Sequence, residues 1–189
     1  MLSGNGGAIH ATGDVIIGGT ISPGNSPGHL VIDCNIITLP GSKLLLEIAG
    51  NAGNYSWDRL VIGKSSTFDL RQVQIVFSFL GSTDPNGFAT SVGLQLDKFL
   101  RQGVNDVDVG SLSASFQPGQ QWGDVIKVSS ISAVSNAYTI SNLQYQGDGV
   151  LTLSAAPVPE PSTWAMLALG ALVLGMRLHR RSTAVRNKG

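Results

Sequence analysis

Short apolar runs with strict alternation are the feature that most constrains this chain. Leu44, Leu46 and Ile48 recur at every second position. Because successive side chains of a β-strand point to opposite faces, this period of two predicts strands with one buried face. The segments PGNSPG, LPGS, DPNG and GDG separate such runs, and their Gly, Asn and Pro residues favour tight turns. The sequence therefore predicts an all-β body that reaches to about residue 154.

The arrangement of the strands is less sharply predicted than their presence. Apolar runs recur roughly every fifteen residues in the first half, which suggests the rungs of a β-helix or solenoid. A β-sandwich-like body is the alternative. A short helix is also expected near residues 97–102, where Asp97 would cap its start and Gly103 would end it.

The charge distribution separates the body from the tail. The formal net charge is zero, but the body is mildly acidic and the last residues are basic, with Arg177, Arg180 and Arg181 near the end. No basic face with interleaved aromatic residues is evident, so a nucleic-acid partner is not expected.

The segment GNSPG resembles the G-x-S-x-G pattern of esterase nucleophiles, with Ser26 at its centre. In such enzymes, the backbone N–H after the serine helps to stabilise the oxyanion. Here that residue is Pro27, which has no N–H. A turn is therefore predicted, and we expect no catalytic residue in the chain.

Few other residues suggest chemistry. Cys34 is the only cysteine and is expected to be a buried strand residue. His10 and His29 stand far along the chain from residues of metal-ligand spacing, so they are expected at turns or on the surface, and no metal or cofactor is predicted. Asp106 and Asp108 precede a glycine, which leaves a calcium site open beside the simpler interpretation of a solvated turn.

Two aromatic residues and one group of charged residues bear on carbohydrate chemistry. Trp57 and Trp122 are expected to cap the β core, although a sugar-stacking platform is conceivable. An exported polysaccharide-active enzyme would need carboxylates gathered in one cleft. A groove containing Asp58, Asp69 and Arg71 would favour that alternative.

The C-terminal segment has the most specific pattern. Its prolines force an extended linker over residues 155–162, and this linker contains the motif Val158, Pro159, Glu160, Pro161. Residues 163–178 then predict a transmembrane helix about 24 Å long, short for a hydrocarbon core of about 30 Å. Its predicted anchor residues are Trp164, Leu167, Leu169, Leu172, Val173 and Leu174. The arginines at 177, 180 and 181 would keep residues 179–189 in the cytoplasm.

This tail resembles the PEP-CTERM sorting signal: VPEP, then STWAMLALG, an apolar stretch and an arginine cluster. The resemblance implies export, temporary anchoring in the inner membrane, and processing by an exosortase-type membrane enzyme. It also implies delivery to the cell surface or to extracellular polysaccharide. Residues 18–50 separately resemble the closing rungs of autotransporter-like β-helical passenger domains, where such proline and glycine segments are corners between rungs.

Together these features predict four parts: an exported β-rich domain at 1–154, a linker at 155–162, a membrane helix at 163–178 and a basic tail at 179–189. The opening residues lack the pattern of a secretory signal peptide. Either an N-terminal truncation or another route of export explains this, and the truncation is the preferred expectation. The predicted function is that of a structural or adhesive surface protein without its own catalytic activity, and the alternative is the exported enzyme.

Overall fold

The chain forms a mostly β structure, which confirms the prediction of an all-β body. A computed structural model describes residues 2–3, 7–24, 27–64, 66, 68–70, 72–125, 130–159 and 166–172. The strands in these ranges are β1 (Leu2–Ser3), β2 (Gly7–His10), β3 (Val15–Ile17), β4 (Thr20–Ser22), β5 (His29–Asp33), β6 (Ile36–Thr38), β7 (Lys43–Asn51), β8 (Asn54–Trp57), β9 (Arg59–Gly63), β10 (Phe68–Asp69), β11 (Gln74–Phe79), β12 (Leu100–Val104), β13 (Val107–Ser111), β14 (Ser130–Ser135), β15 (Tyr138–Tyr145) and β16 (Leu151–Pro157). The helices are α1 (Pro85–Ser91), α2 (Leu96–Phe99), a 3-10 turn (Leu112–Ser115) and α3 (Trp122–Val125).

Three sheets are built mainly from parallel strands. Sheet A has the order β1-β4-β7-β11-β14, with β8 added to β7, sheet B has the order β13-β12-β9-β5-β2, and sheet C has the order β10-β6-β3. The chain enters sheets A, B and C in that order three times, through β1 to β3, β4 to β6, and β7, β9 and β10. Strands β15 and β16 form a separate pair.

We call each passage through the three sheets a circuit. From the second circuit on, each parallel strand pairs with the strand of the same sheet one circuit earlier, and the circuits differ in length. Gly7 pairs with Leu30, 23 positions later, whereas Lys43 pairs with Gln74, 31 positions later. The spacing of about fifteen residues seen in the sequence therefore does not correspond to one circuit. That spacing arises because successive apolar runs belong to strands of different sheets.

The hydrophobic core follows the alternation that the sequence shows. Leu44, Leu46 and Ile48 are fully buried, and they pair laterally with Ile75, Phe77 and Phe79 of the next circuit, which are buried as well. Parallel pairing in register brings like side chains together on one face, so the apolar residues form continuous rows inside the body.

The helix expected near residues 97–102 is shorter than predicted. It ends at Phe99, and the chain then continues as β12, where Leu100 pairs with Leu60. Gly103 is therefore a strand residue and does not end the helix. Asp97 lies within the first turn and its carboxylate accepts hydrogen bonds from the backbone and hydroxyl of Ser113. Residues 100–103 therefore make their backbone hydrogen bonds to the neighbouring strand β9, and not within a longer helix.

Helix α1 was not predicted, because DPNG was interpreted only as a turn. Asp84 precedes it and accepts a hydrogen bond from the backbone N–H of Asn86 at 3.0 Å, while Pro85 occupies the first turn. Aspartate followed by proline is a typical helix start. The helix places Phe88, which is fully buried, against the rings of Tyr55, Trp57, Phe79 and Phe99.

The chain divides into two compact units, residues 1–156 and 157–189. In the second unit, residues 166–172 are helical and Leu167, Leu169 and Leu172 are exposed. Over the described ranges, no helix is both long and apolar enough to cross a membrane. Residues 163–165 and 173–178 of the predicted membrane helix lie outside those ranges, so the four-part division stays a prediction.

Candidate functional site

The glycines of the GNSPG segment form a corner between β4 and β5. Ser26 itself lies outside the described residues. The backbones of Gly24 and Gly28 approach so closely that a Cβ on Gly24 would stand 2.3 Å from the Cα of Gly28. The Gly28 N–H donates to Asp58 at 2.7 Å, and its carbonyl accepts from the backbone of Arg59 at 2.9 Å. These contacts hold Gly28 at a structural corner.

Asp58 is the buried acid that fastens this corner. Its side chain is fully buried and accepts backbone hydrogen bonds from Gly28 at 2.7 Å and from Glu47 at 2.9 Å. Burial raises the pKa of the Asp58 carboxyl, and the two hydrogen bonds partly oppose that rise. The carboxylate therefore has a structural role, because it connects Gly28 to Glu47 of β7. The groove of Asp58, Asp69 and Arg71 that would favour an exported enzyme involves an Asp69 side chain and an Arg71 that lie outside the described part of the chain.

The outward face of sheet B brings His10, Asp33 and Asp106 together. His10 and Asp33 are register partners on β2 and β5, and Asp106 lies in the turn between β12 and β13. The His10 Nε2 atom is 3.1 Å from Asp106 Oδ2, and its Nδ1 atom is 3.7 Å from Asp33 Oδ2. His10 is exposed, as expected, but the parallel pairing places it beside carboxylates that are distant in sequence, which its spacing along the chain did not reveal. We call these three residues the His10 cluster.

The β12–β13 hairpin carries Asp106 to that face. Asn105 and Asp106 have positive φ angles of 49° and 65°, the conformation of a tight hairpin turn that Asn and Asp accept more readily than most residues. Val61 alternates with core residues of β9 and so points outward, yet it is only 2% exposed. It lines a hollow of about 240 Å³ together with His29, Arg59, Asp106, Val107 and Asp108. The hairpin thus covers part of sheet B. His29, which lines this hollow, is exposed, as the sequence predicts.

Asp106 and Asp108 do not form one site. The Asp108 carboxylate accepts from Arg101 Nε at 3.0 Å through both oxygens and lies 3.7 Å from Arg59 Nη1. It also accepts from the backbone of Gly110 at 3.2 Å. Because these cations neutralise Asp108 while Asp106 faces His10, the two carboxylates have separate partners.

The tryptophans pack against the body as expected. Trp57 donates from Nε1 to the carbonyl of Lys98 at 3.0 Å and contacts Phe88. Trp122 is 4% exposed and meets Phe116 edge to face at 5.0 Å. A tryptophan buried to this extent offers no free ring face for a sugar.

Beside Trp122 there is a hollow of about 320 Å³ that both polar and aromatic side chains line. It is lined by Asp97, Ser113, Phe116, Gln120, Gln121, Trp122 and Asp148. Phe116 is half-buried, so part of its ring reaches the solvent. An aromatic ring among amide and carboxyl groups is a chemistry that sugars can contact through both CH and OH groups.

Cys34 is buried, as predicted, but it lies at the bend between β5 and β6 and not inside a strand. Burial is the main cause that raises the pKa of its thiol, and the neighbouring Asp33 charge adds to the rise. A thiol with a raised pKa is a poor nucleophile.

The sorting segment is only partly described. Val158 and Pro159 follow β16 and are exposed. Leu167, Leu169 and Leu172 are within the helical residues 166–172. The other predicted sorting, anchor and arginine positions lie outside the described residues, namely Glu160, Pro161, Trp164, Val173, Leu174, Arg177, Arg180 and Arg181.

Comparison with known proteins bears on this same segment. No curated protein and no solved structure matches the chain, and the likeness of residues 18–50 to autotransporter passenger domains stays a prediction. A family model described as the PEP-CTERM protein-sorting motif matches residues 157–181. The chain therefore carries the C-terminal sorting motif of exosortase substrates, membrane-associated exported proteins that reach the cell surface.

Proposed function

We propose that this chain is a structural or adhesive protein of the bacterial surface or extracellular matrix, without a catalytic activity of its own. The single observation that carries the proposal is the sorting motif at residues 157–181. In this proposal the motif acts as a sorting signal and a temporary membrane anchor, and residues 1–156 are the domain that is exported.

The proposed route has two stages. The apolar segment at 163–178 first holds the chain in the inner membrane, with the basic residues 179–189 in the cytoplasm and the β body in the periplasm. An exosortase-type enzyme then processes the chain near Glu160, and the body is released to the surface. Exposed Leu167, Leu169 and Leu172 on one helical stretch support the membrane step, because lipid is the environment that such side chains favour.

The exported domain is proposed to be a β-helix. Support comes from the repeated passage through sheets A, B and C and from parallel pairing between successive circuits. Such a body presents long, rigid outer faces, which suit a protein that holds other molecules at a surface.

Extracellular polysaccharide is the proposed adhesion target. The hollow beside Trp122 supports this choice, since it combines the half-buried ring of Phe116 with Gln120, Gln121 and Asp148. The alternative, an exported polysaccharide-active enzyme, would use a similar ligand but would cleave it. Incubation of the purified chain with matrix polysaccharide separates the two: binding without new reducing ends supports adhesion, whereas new chain ends support the enzyme.

Sorting is tested in a host that has an exosortase. The full chain, expressed behind a secretory signal peptide, is compared with a variant lacking residues 157–189 and with a matched control lacking only 182–189, which lie beyond the motif. Both variants carry the same signal peptide. We expect the full chain and the control to be processed and to reach the surface, and the longer deletion to abolish both events. Glu160→Ala tests the processing step alone and should leave the unprocessed chain in the membrane fraction. Soluble cytoplasmic chain that is unaffected by the longer deletion contradicts the proposal.

A further inference from the structure

We propose that the His10 cluster is a binding site for a divalent transition-metal ion of the Zn²⁺ class. The inference goes beyond sorting and adhesion and does not depend on either. It rests on where the fold places His10, Asp33 and Asp106.

The first step is the composition of the cluster. One imidazole and two carboxylates, each from a different element, offer ligand atoms that all lie within 4.8 Å of one another. Imidazole nitrogen together with carboxylate oxygen is a donor set that Zn²⁺ and related ions accept, usually with water in the remaining positions. Ca²⁺ and Mg²⁺ prefer oxygen ligands alone, so the histidine selects the transition-metal class.

The second step is charge. Asp33 and Asp106 bring two carboxylates to one imidazole, and within the described ranges the basic side chain that lies within 4 Å of both acids is that of His10. The nearby Arg101 and Arg59 form ion pairs with a different acid, Asp108. Asp33 additionally accepts a long hydrogen bond from Ser66 at 3.4 Å. Two carboxylates carry more negative charge than one imidazole can neutralise, so a bound cation would balance the remainder.

The third step is access and fit. The side chains of His10, Asp33 and Asp106 are 56%, 42% and 43% exposed, so an ion can enter and keep water ligands. His10 and Asp33 also line an open hollow of about 610 Å³ with residues 11–14, which leaves room for those waters. Ligand atoms around a tetrahedral Zn²⁺ ion are about 3.3 Å apart, as bonds of about 2.0 Å require. The cluster is looser than that, and its two acids face different ring nitrogens of His10, Asp33 the Nδ1 atom at 3.7 Å and Asp106 the Nε2 atom at 3.1 Å. Binding of both acids and one ring nitrogen to the same ion requires rotation of these exposed side chains.

A bound ion would have a mechanical consequence. It would join β2, β5 and the β12–β13 turn, which are separated by 23 positions between His10 and Asp33 and by 96 between His10 and Asp106. The hairpin would then be fixed across the outer face of sheet B. A ligand that binds only the folded state also raises thermal stability.

The test uses the full chain, purified without a histidine tag and stripped of metal. ZnCl₂ is titrated calorimetrically, and melting is followed by circular dichroism with and without the ion. We expect one equivalent of Zn²⁺ to bind and the melting midpoint to rise by about 5 to 10 °C at a hundredfold excess over Kd. Three variants, His10→Ala, Asp33→Asn and Asp106→Asn, should each weaken binding at least tenfold and remove most of the shift.

Matched controls distinguish a built site from casual surface binding. His29→Ala removes another exposed imidazole of the same sheet, and Asp14→Asn removes another carboxylate from the same hollow; both should bind Zn²⁺ as the wild type does. Circular dichroism of each metal-free variant confirms that it is folded. The proposal is overturned if Zn²⁺ does not bind, if the three cluster variants bind it normally, if the controls lose binding equally, or if CaCl₂ binds as tightly as ZnCl₂.

Discussion

Asp58→Asn is the substitution that most directly tests how the body is held together. The wild-type carboxylate has one oxygen 2.7 Å from the Gly28 nitrogen and the other 2.9 Å from the Glu47 nitrogen. An amide of the same shape has only one acceptor oxygen, so its NH₂ group must face one of these two N–H donors. The substitution therefore leaves a donor unpaired in a place with no access to water.

The expected loss in the free energy of unfolding follows from the number of backbone N–H donors that a substitution leaves unpaired. One buried unpaired donor costs about 1–3 kcal/mol, so Asp58→Asn should destabilise the chain by that amount. Asp58→Ala leaves both donors unpaired and should cost about 2–6 kcal/mol, twice the range for one donor. Set against a typical total of about 5–15 kcal/mol, either loss is easily measured.

Urea unfolding followed by circular dichroism is the assay, with Asp148→Asn as the matched control. Asp148 is exposed and accepts a single backbone hydrogen bond from Val150 at 2.9 Å, which an amide oxygen can keep. The control should therefore change the free energy of unfolding by less than about 0.5 kcal/mol. If Asp58→Asn costs no more than Asp148→Asn, the account of a buried acid that fastens the GNSPG corner is refuted.

Three further predictions concern other buried groups and the pH dependence of Asp58. The folded state raises the Asp58 pKa above its usual 3.8. The part of the stability that depends on binding this proton is therefore full below about pH 3.8 and is lost as pH rises through the folded pKa, whereas the two backbone hydrogen bonds to the carboxylate remain. The stability advantage of wild type over Asp58→Asn should thus become smaller with rising pH without vanishing, and an advantage that increases with pH would contradict the raised pKa. Gly149→Ala should destabilise more than Gly147→Ala in thermal melts, since both glycines have positive φ but only a Cβ at Gly149 would meet Trp122, at 2.4 Å; equal losses would contradict that contact. Cys34 should react with iodoacetamide in urea but hardly at all in the folded chain, by mass spectrometry, because it is buried and its pKa is raised; rapid labelling without urea would contradict its burial.

Local sequence patterns predicted most of the strands and their buried faces. Leu44 and Ile48 were expected to face the core from their alternation alone, and both are fully buried. Pro27 likewise argued for a corner in place of a catalytic elbow, and the described neighbours of Ser26 are in fact joined by close backbone contacts. These features depend on residues within a few positions of one another, which a sequence displays directly.

The candidate ion site could not be predicted because its members meet only through lateral pairing. The sequence contains no local spacing that relates His10 to Asp33, and their proximity follows from the register of β2 on β5. Asp106 is brought there by the β12–β13 hairpin, for whose turn the sequence suggested either a solvated turn or a calcium site shared with Asp108, and not a site shared with His10. The helix at Pro85–Ser91 is a different case, since the signal at Asp84 and Pro85 was present and was interpreted as a turn alone.

The unequal circuits show where this architecture tolerates extra residues. Between Lys43 and Gln74 the chain adds the β7–β8 hairpin, yet β7 and β11 still pair residue for residue. The tip of that hairpin, residues 51–54, is exposed and contributes no residue to the buried rows. A foreign peptide inserted between Ala52 and Gly53 would be displayed outside the body while the stacked strands keep their register.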